Sequence, residues 1–143
     1  MVRSMLSVLA GIAVLTVASF AIEAALHPLL IWAFPETLPG SEALSSNPWV
    51  RTLTFAYGFV CVAAGACVTA RVVRRLPITH AVVMGIIQAG LTIVAMLSPV
   101  GDHASPMQWI LIAILSIPAA LVGGVVYKGR KPNDRLERAP ASD

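Results

Sequence analysis

The chain has 143 residues, 57% of them hydrophobic and 12% charged, with a net charge of +3. Soluble domains carry about 25% charged residues. This composition therefore excludes an ordinary water-soluble enzyme or binding module and points to one compact membrane-embedded unit with no nucleic-acid partner.

Four apolar stretches are each long enough for the roughly 20 residues a helix needs to cross a bilayer. The first runs from about Met5 to His27, with apolar character continuing to Phe34. Arg3 and Thr16-Val17-Ala18 imitate a leader and its cleavage site, but the run is too long for a leader, so it reads as a span. The second lies between Arg51 and Arg71, the third runs from about Ile78 to Pro99, and the fourth from about Met107 to Tyr127. Backbone groups in lipid must be satisfied within the segment, so all four are expected to be helices. The expected fold is an all-α bundle of four transmembrane helices over residues 1–128, and the polar residues 129–143 read as a disordered cytoplasmic tail.

Asn47-Pro48 and Ser105-Pro106 each place a capping side chain before a proline, and Pro77 marks a third helix start. The short link after Arg71 makes the second and third spans a tight hairpin. Spans two and four both begin near proline and tryptophan and end in a basic cluster, which suggests two related hairpins in a parallel repeat. Cys61 and Cys67 point to different faces of one helix and read as packing residues, not as a CxxC motif.

Orientation follows from the basic residues. Arg3, Arg71, Arg74, Arg75, Lys128, Arg130, Lys131, Arg135 and Arg138 fall on one side, and Arg51 on the other. The positive-inside rule then places both termini in the cytoplasm of a bacterial inner-membrane protein. Trp32, Trp49 and Trp109 come out together at the outer interface, where amphipathic rings are favoured. The basic cluster is expected to attract anionic lipid headgroups.

Small residues recur four apart: Ala63 with Cys67, Ala66 with Ala70, Ala119 with Gly123, and Ala120 with Gly124. Such faces let helix backbones approach closely, within the bundle or between subunits.

The polar groups in the spans are few. Ser19, Glu23 and His27 form a stripe on one face of the first span. Counting from Met5 places Glu23 just inside the outer boundary of the hydrocarbon core. Pro28 withholds an N–H from the Ala24 carbonyl, so a kink or stop is expected there. Glu23 and His27 are expected to face the protein interior, and Leu26 to lean towards lipid. Asp102 and His103 supply a second carboxylate–imidazole pair on the outer side. Gln88 falls near the bilayer midplane and is expected to face another helix.

Three readings fit Glu23, His27, Asp102 and His103. One is a hydrogen-bonded tie between helices. The second is a divalent-metal site, with zinc as the natural choice for imidazole and carboxylate ligands. The third is proton handling. No phosphate-binding glycine loop, nucleophile elbow or HExxH motif is present, so neither a catalytic group nor an organic cofactor is assigned.

With these residues in place, the chain resembles a loose group of small bacterial four-helix inner-membrane proteins. Their first helix carries a glutamate, a histidine one turn later and then proline, here Glu23, His27 and either Pro28 or Pro35. The run Gly65 to Ala70 before Arg71 is similar, as are Trp109 and Pro118-Ala119-Ala120 leading to Gly123-Gly124. This chain has Leu26 where the group has glycine before the histidine. The resemblance implies a four-helix bundle in the inner membrane and carries no activity with it.

The leading functional expectation is a small integral membrane protein acting through helix–helix contacts, as a homo-oligomer or as an accessory subunit of a membrane partner. The alternative is an oligomeric transporter or channel-like protein handling a metal ion or proton at the outer-face Glu/His cluster.

Overall fold

A computed structural model of the chain describes residues 2–73, 76–98 and 105–129. Five helices follow one another: α1 (Val2–Ala33), α2 (Ser41–Ser46), α3 (Pro48–Val72), α4 (Pro77–Met96) and α5 (Pro106–Gly129). No strand occurs among the described residues. α1, α3, α4 and α5 are the four helices long and apolar enough to cross a membrane. They form the expected all-α four-helix bundle of a multi-pass membrane protein.

The starts of the helices follow local chemistry. The Asn47 side chain accepts a hydrogen bond from the Trp49 N–H at 3.2 Å, and Pro48 occupies the first helical turn. Pro77 opens α4 after Leu76, which sits in the left-handed region at φ 52°.

Contacts fix the direction of each helix. Gly11 of α1 lies against Gly65 and Thr69 of α3, while Leu30 at the other end of α1 clusters with Val50 at the start of α3. α1 and α3 are therefore antiparallel. Gly85 of α4 sits on Ser116 and Ala120 of α5, and Gly124 sits on Ala81 and Ile78, so this pair is antiparallel too. Gly123 closes α5 onto Ala63 and Ala66 of α3. α1 and α4 run parallel, and they touch along a shorter seam than α1–α3, α3–α5 or α4–α5. One end of the bundle carries Trp32, Trp49 and Trp109, and the other carries Arg71 and Lys128.

The core explains the close approach. Ala66, Ala81, Met84, Ala119 and Ala120 are fully buried, together with Val8, Leu15, Cys61 and Val62. Lipid tails are as apolar as leucine, so helices in a bilayer associate through tight packing of small side chains. The small faces seen in the sequence serve this internal packing. Thr69 is fully buried and satisfies its hydroxyl on the Gly65 carbonyl of its own helix at 3.1 Å. Cys61 and Cys67 are both free thiols.

Three local features differ from expectation. α1 does not stop at Pro28 but continues through it to Ala33. The lost backbone bond is offset by packing beyond the proline, where Leu30 joins Leu38, Leu44 and Val50 in a second cluster. Leu26 packs on this cluster as well and does not turn to lipid. At 1.5 Å per residue α1 is about 48 Å long, against a hydrocarbon core of about 30 Å, so it outreaches the lipid tails. The short helix α2, unforeseen in the sequence, carries Leu44 into the cluster and caps the tryptophan end. Phe34 and Trp49 meet edge-on there, with ring centroids 5.8 Å apart.

Candidate functional site

Ser19 and Glu23 of the α1 stripe line clefts within the bundle. The Tyr57 hydroxyl of α3 donates a hydrogen bond to Glu23 Oε1 at 2.8 Å, and both groups are part-buried. Tyr57 lies about 14 Å down α3 from Pro48 at 1.5 Å per residue, well within the span. One phenol bond occupies only part of what a carboxylate can accept, since an ionised carboxylate offers about four lone-pair positions.

Two clefts adjoin Glu23. The first has a volume of about 150 Å³ and includes Ser19, Glu23, Thr54, Tyr57, Gln88 and Ser116 in its lining. The second, about 430 Å³, lies between α1 and α4 and reaches Thr92 and Trp109. Leu15, Ser19, Glu23 and Gln88 line both, so the carboxyl and the amide stand on the wall between them. The Thr92 hydroxyl donates to the Gln88 carbonyl at 2.9 Å, and the Ser116 hydroxyl to the Ile112 carbonyl at 2.8 Å. These hydroxyls are thus satisfied within their own helices, and the polar wall costs little to keep in the bundle.

Glu23 and Gln88, which residue counting sets at different depths, line the same two clefts. His27 lies one turn from Glu23 and is half-buried, and no hydrogen bond joins the two among the described residues. Asp102 and His103 lie outside the described residues. Among the described residues no three His, Cys, Asp or Glu groups converge on a position that would hold a metal ion. Glu23 and His27 remain the described members of the metal set.

Sequence reasoning missed Tyr57, Thr54 and Ser116. Tyr57 carried a signal, because a phenol deep in an apolar span needs a hydrogen-bond partner.

A third cleft of about 390 Å³ runs between α1 and α4 towards the basic end, walled by Met5, Val8, Ile12, Val83 and Ile87 and floored by Thr79 and His80. His80 Nδ1 lies 3.0 Å from the Leu76 carbonyl. Ile12 lines both this cleft and the one beside Glu23, so the two adjoin along the α1–α4 crevice.

This arrangement suits acid–base and cation chemistry. The protonated Glu23 carboxyl is neutral and compatible with an apolar wall. The ionised form needs a donor or a counter-charge, and Tyr57 supplies the donor. A scan against protein-family models found no match, and comparisons with curated proteins and with solved structures found none either.

Proposed function

We propose that this is a small transport protein of the bacterial inner membrane that exchanges a proton for a cation at Glu23. The observation that carries the reading is the Tyr57–Glu23 hydrogen bond on the wall of two clefts within the spans. A charged side chain at the centre of a bilayer costs about 2.5–3.5 kcal/mol on insertion scales, which is why such residues generally serve a function. Proton and cation compete for one carboxylate. Binding of either excludes the other, and that exclusion is the requirement for exchange.

The accessory-subunit reading is weaker for a specific reason. The small-residue faces that would suit a partner helix are used inside the bundle, by Gly11, Gly65, Gly85, Gly123 and Gly124. In the proposed topology both termini are cytoplasmic, with Arg71 and Lys128 near anionic headgroups. The test is an imposed pH gradient across proteoliposomes, followed by an entrapped pH dye as small monovalent cations are added outside. Wild-type protein is expected to dissipate the gradient in a cation-dependent way, and Glu23→Gln is expected to leave it intact. Equal dissipation by Glu23→Gln and wild type would reject the reading.

A further inference from the structure

We infer that the cations exchanged at Glu23 include an organic amphiphile, one apolar tail with a single ammonium head, that reaches Glu23 sideways from the bilayer between α1 and α4. The inference rests on the proposed role of Glu23 and adds the ligand's class and its route.

The seam between α1 and α4 is the short one of the bundle, and the crevice follows it. Its walls open outward: Leu9 is 61% exposed and Leu91 49%. In a membrane, the surface they face is lipid. The α1 wall of the crevice is apolar from Met5 to Ile12, with Thr79 and His80 of α4 at its basic end, and the lining becomes polar again at Ser19, Glu23 and Gln88. The distance along α1 from Met5 to Glu23 is about 27 Å, so a tail lies towards the basic end while its head meets the carboxylate.

Charge sets the sign of the head. Among the described residues, Glu23 is the charged side chain that lines the polar end, and no Lys or Arg lines any of the three clefts. A bare divalent cation fits poorly, since calcium takes 6–8 oxygen ligands in general and magnesium demands near-ideal octahedral geometry. An alkylammonium head asks for one counter-charge and apolar walls. Among the described residues, α3 brings the titratable Tyr57, with Cys61 one turn on, and α1 has His27 one turn from Glu23, while α4 offers the neutral Gln88 and α5 the neutral Ser116. As the cation binds, one positive charge arrives and the carboxyl proton leaves to water, so charge balances.

The test uses the full chain in lipid nanodiscs, with decyltrimethylammonium as probe and decyl sulfate as the same-tail anion. Saturable binding of the cation alone is expected, weakened at least tenfold by Glu23→Gln. Val83→Trp, which fills the crevice away from Glu23, is expected to weaken it at least tenfold while pH-gradient dissipation by small cations stays at the wild-type rate. Ile87→Trp is the second crevice variant, used if Val83→Trp loses helix content. Undiminished probe binding by folded crevice variants would overturn the lateral route and leave the Glu23 reading standing. Equal saturation by decyl sulfate would overturn the cation. Disulfide trapping of two chains through Leu9→Cys, in a background lacking Cys61 and Cys67 and without probe binding, would assign the crevice to a second copy and overturn the proposal.

Discussion

The Tyr57 hydroxyl and the Glu23 carboxylate meet at 2.8 Å across α3 and α1, although 34 positions separate them in the chain. The bond holds the carboxyl at the cleft wall and ties the two helices at that depth.

Removing either partner strands the other. Tyr57→Phe leaves a carboxyl without its donor inside the span, a loss of about 1–3 kcal/mol. Glu23→Leu leaves the phenol alone. The double variant is expected to lose less than the sum of the singles, with a coupling of about 0.5–3 kcal/mol. Thermal midpoints in detergent measure this cycle, and additive losses would show that the bond contributes nothing.

His27 is expected to behave differently. Because it is not bonded to Glu23 among the described residues, His27→Ala and Glu23→Gln are expected to add, with and without zinc. A coupling that appears only when zinc is present would restore the metal reading, with Asp102 and His103 as the remaining ligand candidates.

The glycines divide into two classes. A Cβ at Gly123 would collide with the Ala63 carbonyl, whereas at Gly124 it would meet the Ala81 Cβ at 3.0 Å, and at Gly90 nothing within 4 Å. Gly123→Ala is therefore expected to lower the thermal midpoint more than Gly124→Ala. Gly90→Ala is expected to raise stability by up to about 1 kcal/mol through helix propensity alone. A lower midpoint for Gly90→Ala than for Gly123→Ala would contradict the packing described.

The spans were legible because length and hydropathy decide what can cross a bilayer, and Asn47-Pro48 announced its helix by capping chemistry. The Ser19–Glu23 stripe was legible from helical spacing. Tyr57 was not, since no spacing rule connects residues on two helices whose vertical offset is unknown. The same offset hid that Glu23 and Gln88 line the same clefts. The stop at Pro28 does not occur: local backbone chemistry favours one, while the packing of Leu30 with Leu38 and Leu44 is tertiary.

Orientation can be checked by labelling. Thr37 and Gly129 are exposed at opposite ends of the bundle. In intact bacteria, in a background lacking Cys61 and Cys67, Thr37→Cys is expected to react with an impermeant maleimide and Gly129→Cys is not. The reverse pattern would invert the topology.

The protonation of Glu23 can be read directly from its infrared carboxyl band, isolated in nanodiscs as the difference between wild type and Glu23→Gln. The protonated C=O band is expected at low pH and is expected to fade as pH rises. Because a bound cation favours the ionised form, decyltrimethylammonium is expected to move that transition to lower pH. A Glu23 band that is absent at every pH, or whose transition the cation leaves in place, would contradict proton–cation exchange at this residue.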